Sequence, residues 1–328
     1  MTEQQKPVLA VVGPTASGKT ALGVQLAKYY QGEVVSADSM QIYQGLDLAT
    51  AKPTEEEMQG VPHHLISQIP RETPFSVADY VALAKQTIAQ VHARGHLPIL
   101  VGGTGLYVSS LLDNVQFPTW KGDPGLREAL TQFAAEHGAE ALHARLRELD
   151  PEAADAIHPN NVVRVVRAIE VCQCSGTTFT KQKQENRSHL PLYRSFIIGL
   201  DYADRAQLYH RIDRRVEQMV EQGLVEEVRA VYQAAPKTAH TAGYAIGYKE
   251  LLPYLDGTSD LESCIARIQQ ETRHYAKRQL TWFRKNPAIS WIILQEQGVP
   301  LTPRYSLKTW FLAVYSFIFA ISFRYLKF

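Results

Sequence analysis

The chain has 328 residues, 45% of them hydrophobic, so it is long enough for one large α/β domain or for a core domain carrying a smaller one. Its 34 Lys and Arg residues nearly balance 33 Asp and Glu residues, so net charge indicates no polyanionic partner, and any nucleic-acid site must arise from local clustering. Three cysteines, Cys172, Cys174 and Cys264, are too few for a disulfide framework and lack zinc-like spacing, which predicts a cytoplasmic protein without a structural metal.

The first predicted elements are a strand and a helix joined by a glycine-rich turn. An apolar run at residues 8–12 precedes the turn, and the helical pattern ALGVQLAKYY follows it. The turn is a complete G-x-x-x-x-G-K-T motif, made of Gly13, Pro14, Thr15, Ala16, Ser17, Gly18, Lys19 and Thr20. In this strand–loop–helix order, backbone N–H groups face phosphate oxygens, Lys19 adds a charge and Thr20 offers a hydroxyl to Mg²⁺. The motif predicts binding of a di- or triphosphate.

Buried strands are next predicted at residues 33–37 and 98–102, with a helix over 77–94. Together these units predict an α/β fold with a P-loop NTPase-like parallel sheet flanked by helices. A P-loop kinase or NTPase needs a carboxylate at the end of a later strand, but here 98–102 runs into the sequence GGTGLY, with no acid before Asp113. The second strand instead leads to Asp38, at the sheet edge where ligands bind. Asp38 is the candidate general base. The alternatives are that it hydrogen-bonds to a ligand of Mg²⁺ or caps the following segment.

Strand patterns disappear from about residue 123, and the sequence becomes helical, with breaks at Asp150-Pro151 and His158-Pro159. We therefore expect a helical insertion domain over 123–189, within a discontinuous core formed by 1–122 and 190–300. On the helix that contains NNVVRVVRAIE, Arg164 and Arg167 should share one face while Val163, Val166 and Ile169 pack inward. A solvated helix face is the alternative explanation for the two arginines.

A strand is predicted at 193–200, and residues 204–285 are mostly helical with breaks near Pro236 and over 243–247. Five basic residues lie between Thr272 and Asn286 without an acid, interleaved with aromatic residues: Arg273, Lys277, Arg278, Arg284 and Lys285. This pattern suits phosphate contacts, and a solvated basic helix is the alternative. Arg211 and Arg214 are weaker candidates for binding a diphosphate.

The two ends carry no clear targeting signal. Residues 1–7 are polar and lack the regions of a signal peptide. Residues 309–323 carry no charge, but the stretch is shorter than the roughly 20 residues of a membrane-spanning helix. We expect a packed helix or a divergent tail over 304–328 rather than membrane contact.

The motifs, taken in order, resemble the tRNA dimethylallyltransferases of the bacterial type, also called tRNA isopentenyltransferases. The resemblance rests on GPTASGKT, SADSMQIY followed by GLD and TAKP, GGTGLY, NNVVRVVRAIE, AGYAIGYKEL and ETRHYAKRQLTWFRK, which span about residues 8–290. Ala49 replaces a glycine of the family pattern. Members usually end soon after the tryptophan-containing helix and one more strand, so residues 304–328 depart from it.

The resemblance implies a reaction and roles for several residues. The loop 13–20 would hold the diphosphate of dimethylallyl diphosphate, with Mg²⁺ as cofactor. Asp38 would take a proton from the N6 amine of adenosine 37 in tRNA, and Thr104 would bond the bridging oxygen of the donor. The products would be N6-isopentenyladenosine and diphosphate, with no protein partner required. Two enzymatic alternatives stay open at this point: a P-loop small-molecule kinase or NTPase, and an adenylate prenyltransferase. A third, non-enzymatic alternative is an RNA-binding module that uses the basic segment.

The resemblance also implies how the anticodon stem-loop is held. The expected tRNA-binding residues are Asp38, Ser39, Met40, Gln41, Thr104, Arg127, Val162, Val163, Arg164, Val165, Val166 and Arg167, with Arg273, Lys277 and Arg278 added by the basic segment. Gln41 would read the edge of the target adenine. Extrusion of that base suits a reaction at an exocyclic amine in a loop.

Overall fold

The computed structural model describes residues 5–118, 120, 122–187, 189–234 and 245–294. The chain divides into two compact units, one formed by Met1–Leu112 with Leu192–Phe328 and the other by Asp113–Pro191. The tail at 304–328, the predicted break near Pro236 and residues 243–244 of the break predicted over 243–247 lie outside the described residues. Residues 245–247 of that break form a bend and turn, with Gly247 at a φ of 99°. No helix in the described ranges is long and apolar enough to cross a membrane.

The first unit contains a six-stranded sheet in which every strand pair is parallel. Its strands are β1 (Lys6–Val12), β2 (Gly32–Ser36), β3 (His63–His64), β4 (Leu97–Gly102), β5 (Tyr193–Tyr202) and β6 (Ile289–Leu294), in the spatial order β3-β2-β4-β1-β5-β6. The predicted α/β class with a parallel sheet is confirmed. The two-residue strand β3 was not predicted, because so short an element carries no hydrophobic pattern.

The helices that accompany this sheet are α1 (Lys19–Tyr30), α2 (Glu55–Met58), α3 (Val77–Ala93) and α4 (Gly105–Leu112). The second unit is helical and contains α5 (Pro124–His137), α6 (Ala139–Leu149), α7 (Pro151–Ala156), α8 (Val162–Ser175) and α9 (Phe179–Asn186). The chain then returns to the first unit with α10 (Arg205–Glu221), α11 (Leu224–Ala234), α12 (Leu252–Leu255) and α13 (Leu261–Phe283).

The central strands are buried on both faces, as a parallel sheet covered by helices requires. All five residues from Val8 to Val12 are fully buried. Leu9 and Val11 belong to a cluster that continues into Val24 of α1, Ile212 of α10 and Leu280 of α13, so these three helices share one core with the sheet. The helices thereby fix the groups that follow the carboxyl ends of β1, β2 and β4.

Glu33, at the start of β2, is a buried carboxylate surrounded by donors. Its side chain is 3% exposed and lies 2.6 Å from a guanidinium nitrogen of Arg94 and 2.6 Å from a ring nitrogen of both His64 and His96. The hydrogen bond from Arg94 outweighs the opposing effect of burial, and with those from the histidines it lowers the pKa of Glu33 to about 2. This ion pair cluster ties β2 to β3 and to the segment before β4.

Glu33→Gln is expected to destabilise the fold by about 1 to 2 kcal/mol at neutral pH, since the buried side chain loses its charge-assisted hydrogen bonds to donors that are themselves partly exposed. The folded-state pKa lies below the unfolded value of 4.5, so the carboxylate stabilises above pH 4.5 and this stability is lost as pH falls towards 2. Denaturant unfolding of both proteins across this range should show their difference shrinking at acid pH. Equal stability at neutral pH would contradict the prediction.

The second unit begins at Asp113, before the predicted start at residue 123. The reason is that its two ends are joined: Gln116 N–H donates to the carbonyl of Asn186 at 3.0 Å, and the Asn114 side chain donates to the carbonyl of Leu190 at 2.9 Å. The break at Asp150 is a helix cap, in which the carboxylate accepts from the N–H of Ala153 at 3.0 Å.

One expectation for α8 is wrong. Val163 was expected to pack inward, but it is 83% exposed, whereas Val165 is fully buried and Val166 and Ile169 are nearly so. Val163 lies in the first turn, directly after the cap at Asn161 and Val162, whereas the buried positions of the helix begin at Val165. Val165 and Val166 therefore pack in the core of the unit and present no side-chain surface to an RNA.

Candidate active site

A cavity of about 350 Å³ lies at the carboxyl ends of β2 and β4, beside the phosphate loop. Its wall includes Thr15, Lys19 and Thr20 from the loop region, Asp38 after β2, and Gly102 at the end of β4. All of these residues belong to the first unit. The cavity is therefore at the edge where α/β folds bind their ligands.

The phosphate loop has the conformation that its sequence predicts at the helix start. Gly18 caps α1 with a φ of 87°, in the left-handed region that favours glycine. Ala16 lines the cavity with Thr15, Lys19 and Thr20, while Gly13, Pro14, Ser17 and Gly18 complete the loop behind them. The Ser17 hydroxyl is buried and has no hydrogen-bond partner among the described residues. The loop thus presents donors at the N-terminus of a helix, where an anion is stabilised.

Lys19 is the first of two cations in the cavity wall. Its ammonium donates to the carbonyl of Pro14 at 3.1 Å. Burial and the positive charge of Arg215 lower the pKa of Lys19 to about 8, against the opposing effect of Asp38. Among the described residues no carboxylate lies within ion-pair distance of Lys19, so its charge is available to a ligand.

Arg215 is the second cation, and the sequence did not single it out. Its guanidinium lies 3.4 Å from the Thr15 hydroxyl and 3.4 Å from the carbonyl of Ala51. Burial lowers its pKa, and in the described ranges no acidic side chain forms an ion pair with it. Two partly buried cations without carboxylate partners make this end of the cavity a site for an anion.

Arg211 and Arg214 occupy different positions from Arg215 on α10. Arg211 donates to the carbonyl of Ala16 at 3.0 Å, so it supports the phosphate loop, and it is exposed. Arg214 is exposed and is not part of the cavity wall. The structure therefore gives Arg215, rather than Arg214, the position that faces the cavity. The spacing of the buried Ile212 and Val216 would have indicated the correct arginine.

Asp38 lines the cavity and also holds the segment after β2. One carboxylate oxygen accepts from the N–H of Met40 at 2.9 Å and, more weakly, from that of Gln41 at 3.3 Å. The capping role considered for Asp38 is therefore present, and it fixes the carboxylate beside the phosphate loop. Ser39 and Met40 line the same cavity. Asp38 is thus a structural acceptor whose carboxylate also lines the cavity.

Gln41 lines the cavity, but its amide is already occupied. Its nitrogen donates to the carbonyls of Thr50 at 3.2 Å and Ala51 at 3.1 Å, and its oxygen accepts from the Ser36 hydroxyl at 3.2 Å. These bonds tie the TAKP segment to the end of β2. In this conformation the amide is committed to the protein backbone rather than to an adenine edge.

Thr104 is linked to the segment after β2 rather than open to the cavity. Its hydroxyl accepts from the N–H of Ser39 at 3.0 Å and lies 3.3 Å from the Ser39 hydroxyl. It also bonds Tyr275 of α13, which does line the cavity. Burial, together with the charge of Asp38, raises the pKa of Tyr275 well above its usual range. Tyr275 therefore stays a neutral hydrogen-bonding group beside Asp38.

Gln279, one helical turn after Tyr275, joins two loops of the site. Its oxygen accepts from the N–H of Thr15 at 2.8 Å, and its nitrogen donates to the carbonyl of Gly103 at 3.0 Å. Tyr275 also bonds Gln279. Sequence reasoning missed both residues, although their spacing of four places them on one face of α13. This pair holds the phosphate loop and the GGTG turn together.

The basic segment of α13 is partly neutralised. Arg273 forms an ion pair with Asp213, and Arg284 lies 2.7 Å from Asp201. Arg278 lines the cavity, and Lys277 is exposed. The linear sequence alone therefore overestimates the positive charge of this segment, because the acidic partners of Arg273 and Arg284 come from α10 and β5.

In the helical unit, two of the predicted RNA-binding arginines share one buried partner. Arg127 lies 2.7 Å from Glu170, and Arg167 bonds the other oxygen of the same carboxylate. Glu170 is fully buried; burial opposes its ionisation, but the two guanidinium groups outweigh it and lower its pKa. Arg164 is exposed, and Val162 is half-buried. Glu170 thus positions Arg127 and Arg167, a role that the sequence alone did not reveal.

Binding of an organic diphosphate is expected to weaken as pH rises through about 8, because Lys19 loses its proton in the free protein. A bound anion favours the ammonium form, so binding near this pH should take up a proton. Calorimetry in buffers of different ionisation enthalpy measures that uptake. Lys19→Met separates the titration of the protein from that of the ligand; a pH profile unchanged by this substitution would contradict the prediction.

Comparison with known proteins gives a consistent result. A family model described as IPP transferase matches residues 41–286. A tRNA dimethylallyltransferase of Bacillus pumilus is 46% identical over 291 residues, covering 89% of this chain and 91% of that protein. The crystal structure of a tRNA isopentenylpyrophosphate transferase from Bacillus halodurans is 42% identical, with a TM-score of 0.68, and covers 97% of this chain and 96% of that one. A eukaryotic dimethylallyltransferase acting on tRNA is 29% identical, with a TM-score of 0.75 and coverage of 88% and 74%.

Proposed function

This chain belongs to the IPP transferase family and is a prenyltransferase that modifies tRNA, and from that membership we propose its donor, its target atom and the residues that act. The donor is dimethylallyl diphosphate, and the acceptor is N6 of adenosine 37 in the anticodon stem-loop. The products are N6-isopentenyladenosine and diphosphate. The reaction needs no protein partner, and the proposed location is the cytoplasm.

The observation that carries this proposal is that a single cavity contains a carboxylate and two cations that form no ion pair with any residue the structure describes. Lys19 and Arg215 face the space beside the phosphate loop, where a diphosphate would sit. Asp38 lines the same cavity at the end of β2. Further along the wall are apolar side chains that suit a short prenyl chain, namely Ile212, Val216, Met219 and Leu224.

These groups suggest a direct displacement. The N6 nitrogen forms a bond to the allylic carbon of the donor while the carbon–oxygen bond breaks, and the electron pair leaves with the diphosphate. The proton from N6 passes to the Asp38 carboxylate. Lys19, Arg215 and the N–H groups of the phosphate loop stabilise the charge that develops on the leaving group. Positioning of the two substrates supplies part of the rate, since an exocyclic amine is a weak nucleophile.

Magnesium is proposed as the cofactor. The Thr20 hydroxyl lines the cavity at the phosphate loop, and Mg²⁺ accepts a hydroxyl oxygen when substrate phosphate oxygens and waters complete its shell. The described residues hold no group of three or more His, Cys, Asp or Glu side chains placed to bind a metal ion. When bound, the ion would neutralise charge on the diphosphate.

Two contacts with tRNA follow from the helical unit and from α13. Arg127 and Arg167, oriented by Glu170, and the exposed Arg164 are proposed to contact phosphates of the stem-loop. Arg278, which lines the cavity, and its neighbour Lys277 are proposed to contact the tRNA there.

A kinase or NTPase remains less well supported, because β4 ends at Gly102 without a metal-holding carboxylate.

The test uses labelled dimethylallyl diphosphate, Mg²⁺ and the full chain with three acceptors: unmodified tRNA, the same tRNA with adenosine 37 replaced by guanosine, and AMP. We expect label only in the first acceptor. Label in AMP alone would make the protein an adenylate prenyltransferase, and equal label in both tRNAs would reject position 37. Phosphate release from ATP, measured in parallel, reports on the kinase or NTPase alternative.

A further inference from the structure

The end of α13 and the residues just after it carry a basic–aromatic–basic stripe, formed by Arg278, Trp282 and Lys285. The spacing of four residues places Arg278 and Trp282 on one face of the helix, and Lys285, three residues after Trp282, continues this face beyond the helix end. We propose that Trp282 is a stacking platform for an unpaired base of the tRNA acceptor, with Arg278 and Lys285 binding the phosphates beside it. This inference rests on the proposed function, because it assigns a subsite for the same RNA.

The exposure of Trp282 is the first observation. Its side chain is 44% exposed, while the next aromatic residue on the helix, Phe283, is 3% exposed. Leu106 of α4 is 45% exposed. An indole left in water forgoes the stabilisation that burial of a large apolar surface would give. Packing alone therefore does not account for a tryptophan at this position.

The contact between Trp282 and the GGTG turn is the second observation. A Cβ atom added to Gly105 would lie 2.3 Å from Cδ1 of the indole, so the ring approaches the backbone there as closely as a glycine allows. Gly105 begins α4 and directly follows Thr104. The indole is thus fixed next to a residue that is linked to the segment carrying Asp38.

The distance to the cavity is the third observation. Arg278 and Gln279 line the cavity, and Trp282 follows them by one helical turn, which is about 5 Å along the axis. A base stacked on Trp282 would belong to a nucleotide next to one inserted in the cavity. Unpaired bases that neighbour an extruded nucleotide commonly stack on aromatic side chains.

Charge selects RNA as the occupant. Arg273 and Arg284 are each paired with an aspartate, but in the described parts of the chain Arg278 and Lys285 form no ion pair. Lys277 also forms no ion pair in these parts, so two of the three cations without an ion pair flank Trp282. Single-stranded nucleic acids bind to surfaces of this composition, in which aromatic rings take the bases and cations take the backbone.

The first test measures KM for tRNA at saturating donor. Trp282→Ala is expected to raise this KM roughly 10-fold or more, the loss associated with one stacked base. Trp282→Phe should recover part of the affinity, and Tyr29→Ala, which removes an exposed aromatic ring at the end of α1, should change nothing. KM for the donor and the thermal midpoint of Trp282→Phe should stay at wild-type values.

The second test separates stacking from charge. Trp282→Ala should leave the dependence of log Kd for tRNA on log salt unchanged, whereas Lys285→Ala should reduce its slope by about 0.7 to 0.9. Unchanged KM for tRNA in Trp282→Ala, or a smaller salt slope in that variant, would overturn the inference. If the wild-type protein transfers no label to tRNA, the proposed function itself fails, which is a distinct outcome.

Discussion

Asp38→Asn is expected to lower kcat for prenyl transfer by roughly 10²- to 10⁴-fold, the range associated with loss of a general base. The amide oxygen of Asn still accepts from the N–H groups of Met40 and Gln41, so the segment after β2 should keep its shape. The amide has no basic oxygen to take the N6 proton. Single-turnover rates with labelled donor, measured well below the pKa of Lys19, report the chemical step directly.

The comparison with Asp38→Ala distinguishes the two roles of this carboxylate. Alanine removes both the base and the hydrogen-bond acceptor, so it should lower tRNA affinity as well as kcat, while Asn lowers kcat alone. Donor binding should be at least as tight in Asp38→Asn, because a negative charge beside the diphosphate site is gone. If Asp38→Asn retains the wild-type single-turnover rate, another group accepts the proton.

The fold was largely predictable because its central strands are continuous apolar runs. Residues 8–12 and 98–102 contain only apolar residues, one proline and one glycine, and a parallel sheet buries both faces of such runs. The strand β3 was missed, since two half-buried histidines carry no period. Periodicity also failed for Val163, because this residue lies in the first turn of α8, before the buried positions begin at Val165.

The site was predictable where a motif is contiguous and not where distant segments meet. The loop 13–20 and Asp38 could be placed from local order alone. Gln279 could not, since its role depends on hydrogen bonds to Thr15 and Gly103, residues far away in the chain. The same limit explains the basic segment: the aspartates that neutralise Arg273 and Arg284 are far from them in sequence.

Arg215→Ala is expected to lower kcat/KM for the donor by about 10²- to 10³-fold, the loss typical of one positioned charge on a reacting group. The guanidinium is partly buried at the phosphate loop without an ion-pair partner in the described residues, so no local carboxylate is left unpaired by the change. Arg214→Ala is the matched control, since Arg214 is its exposed neighbour on α10 and lies outside the cavity wall. Initial rates at limiting donor measure the effect.

A second consequence of Arg215→Ala separates an electrostatic role from a packing role. The charge of Arg215 is one of the two causes that lower the pKa of Lys19 to about 8. Its removal should raise that pKa, so the loss of donor binding at alkaline pH should begin at a higher pH than in the wild-type protein. Arg214→Ala should not change the pH at which donor binding is lost. If Arg215 only packed α10 against the loop, its removal would reduce stability but would not change the pH at which donor binding is lost. The direction of that pH shift therefore decides whether Arg215 and Lys19 act together on the diphosphate.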